Sequence, residues 1–260
     1  MTWTRLGFVV AEVAFRCTPH LCGVREATVY LDRHAQQLRR RGLAVAVHVH
    51  EPPVADVAAA LDSHAHELGA HLIAMCAHGR SNLRTHLIES IAERILRGGS
   101  VPILLRTVRH PQVASFELRK LLVPIDFAHD VQAALAAATA LAKPFGATVV
   151  LLSTPQPAPP EASRLLPATT ALTREFDREQ LDRRLHELAQ GLRTDIPDVR
   201  TIVAEQLPAD AILAASSSLP ADLIVLVTHA HGRLSGWYEP STLQQLLQHR
   251  NLTLLLIKEL

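Results

Sequence analysis

Apolar positions in this chain fall into short uninterrupted runs, alternating with stretches where they recur every three or four residues. Lys120-Leu121-Leu122-Val123-Pro124-Ile125-Asp126 is an apolar run closed by an acid. That is the pattern of a parallel strand buried on both faces. Val131, Ala134, Leu135, Ala138, Leu141 and Ala142 follow at helical spacing, and the helix is expected to end before Pro144 and Gly146. Ala147–Ser153 reads as the next strand, and Pro155, Pro157, Pro159 and Pro160 mark an irregular loop. Leu181, Leu185, Leu188 and Leu192 stripe a further helix that stops near Pro197. Strand Val199–Ala204, a helix from about Ala209, strand Asp222–Val227, helix Ser241–His249 and strand Leu252–Ile257 complete the series. Strict alternation of strand and helix predicts a parallel sheet with helices on both faces.

The same order occurs earlier in the chain. Strand Leu43–Val49, helix Val54–Leu68, strand Leu72–Ala77, helix His86–Arg97 and strand Val101–Leu105 match the last five elements. Ala27–Arg41 matches the Leu-striped helix, and Leu6–Val13 matches strand Ala147–Ser153. His78 and His229, Ser90 and Ser241, and Ile103 and Leu254 are each 151 residues apart. A constant offset through matching strands indicates a duplicated unit. We therefore expect two units, 1–110 and 118–260, with a linker around Arg106–Leu118. Nothing before Leu6 plays the part of Lys120–Lys143, so the first unit is expected to lack its first strand and helix.

Composition narrows the class. Hydrophobic residues make up 48% of the 260 and aromatics only 4%, so the cores should be built from Ala, Leu, Val and Ile. Each half is long enough to bury a core of its own. Lys and Arg number 26 against 25 Asp and Glu, a balance that argues against a nucleic-acid binder. The densest basic run, Arg39-Arg40-Arg41, reads as a helix C-terminus favoured by the helix dipole. Three cysteines, an odd and sparse set, point to a reduced, cytoplasmic setting. No apolar run approaches the roughly 18 residues of a membrane span, and no secretory signal is evident.

With the duplication and motifs in view, the chain resembles the universal stress protein family in its tandem form. Val123-Pro124-Ile125-Asp126-Phe127 is similar to the family's opening strand, and His78-Gly79-Arg80-Ser81-Asn82-Leu83 to its glycine loop, G-x2-G-x9-G-(S/T). The resemblance implies two doubly wound, flavodoxin-like α/β units related by a pseudo-two-fold axis. It also implies pairing of their last strands, Val101–Leu105 and Leu252–Ile257, as in a fused dimer; a homodimer of whole chains is a further expectation. In relatives that bind ATP the loop holds the phosphates and the Asp lies near the adenosine.

The loop glycines are mostly replaced here. The three positions are Cys76, Gly79 and Glu89 in the first copy, and Val227, Ala230 and Pro240 in the second. A glycine loop grips phosphate because the missing Cβ lets backbone N–H groups approach the anion. Glu89 would stand beside that anion, at a cost of about 4 kcal/mol for like charges about 4 Å apart at an effective dielectric of about 20. Pro240 fits a helix start but removes an N–H donor. Trp237 and Tyr238 are placed to fill the vacated volume with apolar bulk.

The residual site residues are thus Gly79, Arg80, Ser81 and Ser90 in the first copy and Asp126 in the second. Two readings stand: a regulatory or scaffolding stress-response protein with weak or absent ATP binding, and a regulatory module that still binds ATP or AMP. Fifteen histidines raise a third, metal- or redox-responsive reading. Yet His48 and His50, His64 and His66, and His229 and His231 all lack the spacing or Cys partners of a metal motif. No nucleophile, base and oxyanion set can be assembled, so no enzyme is expected. Protein partners of unspecified kind follow from the first reading.

Overall fold

The computed structural model describes residues 24–49, 56–78, 91–99, 101–108, 117–155, 167–228, 240–249 and 251–258. The first copy contributes α1 (Val24–Arg40), α2 (Val57–Glu67), β1 (Ile73–His78), α3 (91–98) and β2 (Ile103–Val108). The second contributes β3 (Lys120–Pro124), α4 (Gln132–Phe145), β4 (Thr148–Ser153), α5 (Pro167–Leu192) and β5 (Val199–Val203). It continues with α6 (Pro208–Ser218), β6 (Leu223–Thr228), α7 (Pro240–Gln248) and β7 (Thr253–Lys258).

All seven strands form one sheet in the order β1-β2-β7-β6-β3-β4-β5. Neighbours are parallel except β2 and β7, which run antiparallel. Within each copy the duplication holds to the residue: Ile73 lies opposite Ile103, and Ile224 opposite Leu254. Across the junction Ile103 meets Leu256, Leu104 meets Leu255 and Leu105 meets Leu254. Leu104 and Leu255 are themselves 151 apart, so each faces its own counterpart and the pseudo-two-fold passes between them.

Alternation along the strands sorts the core into two layers. Ile103, Leu105, Leu122, Leu152, Ile224, Leu254 and Leu256 pack under α2, α3, α6 and α7. Leu121, Val123, Leu151, Val225, Val227 and Leu255 pack under α4 and α5, through Ala134, Ala138, Leu185 and Ala189. The first layer draws on both copies, whereas the buried residues of the second all come from the second copy, with half-buried Leu72 and Leu104 packed against them. The layer under α2, α3, α6 and α7 spans both copies because the β2–β7 ladder makes the sheet continuous.

Two elements differ from expectation. The helix expected to end before Pro144 runs on to Phe145, and Gly146 closes it in the left-handed region at φ 61°. Pro144 thus sits in the last turn, where it forfeits only one intrahelical bond. Residues 43–49 form no ladder among the described residues. They nevertheless alternate, with Leu43, Val45, Val47 and Val49 half-buried and Ala44, Ala46 and His48 exposed. In the second copy the equivalent strand, β5, pairs with β4, whose counterpart Leu6–Val13 lies outside the described residues. The equivalence of α1 and α5 has a direct mark. Arg39 donates to Val45 O at 2.7 Å, and Arg193 to Val199 O at 2.9 Å, each guanidinium tying its helix end to the segment six residues on.

Candidate functional site

Ligands of open α/β sheets sit beyond the carboxyl ends of the strands, and in the second copy those ends carry the polar groups of interest. Asp126 follows β3 and is buried, at 5% exposure. Its Oδ1 accepts from Ala128 N at 3.0 Å, closing an Asx turn. Its Oδ2 is buried without a hydrogen-bond partner, and His129 Nε2 stands 3.8 Å away. Asp126 is not the helix cap: the turn into α4 is held by Asp130, whose Oδ1 accepts from Gln132 N at 2.9 Å.

The pairing of Pro124 with Leu152 puts Thr154 level with Asp126, each two residues further along neighbouring strands. Thr154 is buried, and its Oγ1 also lacks a partner. Ser153, the residue before Thr154, is satisfied, donating through Oγ to Ile125 O at 2.9 Å. Two orphaned buried oxygens at adjacent strand ends are costly unless water or a ligand group meets them. Together they offer a carboxylate acceptor and a hydroxyl that can donate or accept. Phe127 flanks the turn beneath the Arg184 guanidinium, 4.0 Å from the ring centre, and Arg178 pairs with Glu205 at 2.9 Å nearby on α5.

The phosphate side of the second copy is different. Val227 is 3% exposed and packs in the α4–α5 core layer. Pro240 opens α7. Gly79, Arg80, Ser81, Glu89 and Ser90 of the first copy lie outside the described residues, as do His229, Ala230, His231, Trp237 and Tyr238. The register therefore sets Thr154, a residue that sequence reasoning did not single out, level with Asp126 at the end of the neighbouring strand. The available signal was a hydroxyl pair directly after the apolar run Val149–Leu152.

Among the described residues no three His, Cys, Asp or Glu side chains are grouped so as to hold a metal. His48 and His64 rings lie 6.0 Å apart; His64 also faces Glu67, and His66 faces Asp62. No described helix is long and apolar enough to cross a membrane.

The universal stress protein family profile matches residues 23–106 and again 117–258. The chain belongs to the universal stress protein family. The tandem arrangement is also that of solved structures. A universal stress protein from Archaeoglobus fulgidus superposes with a TM-score of 0.64 at 19% identity, over 90% of this chain and 77% of that one. A universal stress protein described as putative, from Pseudomonas aeruginosa, gives 0.57 at 18%, over 89% of this chain and 78% of that one. At such identities the likeness concerns the fold. A comparison with curated proteins found none that matches.

Proposed function

We propose that this universal stress protein acts as a regulatory or scaffolding component of a cytoplasmic stress response, without turnover and with weak or absent ATP binding. The observation that carries this reading is Val227. A position where the family keeps glycine, next to the phosphate, is here a side chain committed to the core layer beneath α4. Pro240 adds to it, because the first turn of α7 has one fewer N–H to offer an anion.

The orphaned Asp126 Oδ2 and Thr154 Oγ1 favour a second reading, in which a nucleoside or AMP is held mainly through its uncharged end. Calorimetric titration separates the two. The first reading expects no heat with ATP or adenosine up to about millimolar, a free energy of about −4 kcal/mol. Adenosine binding that is lost in Asp126→Asn, with ATP no tighter than adenosine, supports the second. Tight ATP binding by the wild type overturns the first. The variant Glu89→Gly gains ATP affinity if that carboxylate is the block in the first copy.

A further inference from the structure

Two positions 151 residues apart, Thr107 near the end of β2 and Lys258 at the end of β7, play the same part in opposite directions. Both lie just beyond the β2–β7 register, and each reaches the carboxyl end of the other copy's last helix. Thr107 Oγ1 donates to His249 O at 2.9 Å, directly after α7. Lys258 Nζ donates to Arg97 O at 3.0 Å, in the last turn of α3. Carbonyls at a helix end have no intrahelical partner. Here each is met from the opposite copy.

These bonds close a ring. The helix α7 leads into β7, and β7 holds α3 through Lys258; α3 leads into β2, and β2 holds α7 through Thr107. The β2–β7 ladder crosses the middle, with Ile103 opposite Leu256 and Leu105 opposite Leu254. Ile95 and Leu96 on α3, and Leu246 and Leu247 on α7, lie in the same core layer as those four strand residues. A helix end in this ring cannot shift without breaking a bond or a contact that the other copy supplies.

The two holds differ in strength. Thr107 is 4% exposed and grips the whole turn after α7. Its Oγ1 also accepts from Leu252 N at 3.0 Å, its N–H donates to Leu252 O at 2.9 Å, and its carbonyl accepts from Asn251 N at 2.8 Å. Asn251 is thereby kept in the left-handed region, at φ 66°. Lys258 holds α3 through a solvent-exposed bond, so α3 is the end that opens more readily.

We propose that Thr107 and Lys258 form a reciprocal latch, through which the carboxyl ends of α3 and α7 open together and each copy's conformation registers in the other. The inference does not depend on whether nucleotide binds. Amide hydrogen exchange of the full chain, read by mass spectrometry, tests it. Thr107→Val releases α7 and is expected to speed exchange about fivefold or more over 246–249 and also over 95–99, with α4 unchanged. Thr107→Ser keeps the hydroxyl and should match the wild type. Lys258→Met, at a half-buried surface position where the fold is kept, should likewise speed exchange at both helix ends. Acceleration that stays at the end nearest the substitution in either variant would make the two bonds separate local caps, and overturns the proposal. So does no acceleration, or equal acceleration along α4, which would mark a general loss of stability.

Discussion

At the residue scale, single side chains act where the copies meet or where strands begin. Thr107 is buried on β2 and reaches into the other copy: its Oγ1 donates to His249 O at 2.9 Å and accepts from Leu252 N at 3.0 Å. Thr107→Val keeps the shape and strands both groups, so it should cost about 1–3 kcal/mol in denaturant unfolding. On the opposite side of the junction Lys258 Nζ donates to Arg97 O at 3.0 Å, a cation at the end of α3. Asp198 is held below its ordinary 3.8 first by the Arg200 hydrogen bond and then by that of Thr148. A depressed carboxylate contributes stability that is present above its unfolded value and lost as pH falls through the folded one. Asp198→Asn should therefore flatten the pH dependence of stability below about pH 4. Because the pair is about half exposed, the change is small, and unchanged acid unfolding of the variant would show that solvent screens the pair entirely.

At the element scale, β7 is completed by β2. A second unit made alone, residues 118–260, would expose the apolar edge of β7 with Leu255 at its centre. The Leu104–Leu255 register shows that two such strands can pair antiparallel about a two-fold. The isolated unit should therefore dimerise in light scattering at micromolar concentration, and Leu255→Lys should return it to a monomer. Most element types were legible before the structure. Alternating apolar runs marked every strand of the second copy, and Leu185, Leu188 and Leu192 marked the inner face of α5. Residues 43–49 were legible only in part. Their period-two exposure is local, but a strand also needs a neighbour to bond with.

At the scale of the whole molecule, the hydrophobic layer under α2, α3, α6 and α7 does not respect the duplication. Ile103 and Leu105 of the first copy share one layer with Ile224 and Leu254 of the second. The described strands should then melt together. A single calorimetric transition with matching calorimetric and van't Hoff enthalpies is expected, and two separated transitions would show that the halves are independent. The candidate site divides in the same way as the fold. Asp126 was singled out by the likeness of Val123–Phe127 to the family's opening strand, whereas Thr154 enters only through the register that sets it level with Asp126.

The sequence by itself determined the duplication, its 151-residue offset and the kinds of elements, since these depend on periodicity within a few turns or residues. Only the tertiary structure decided that Leu104 faces Leu255 and that the core layer under α2, α3, α6 and α7 crosses the boundary between copies. Those facts depend on registry between strands more than a hundred residues apart. Such registry is set by packing both faces of the sheet at once, and no local pattern encodes it.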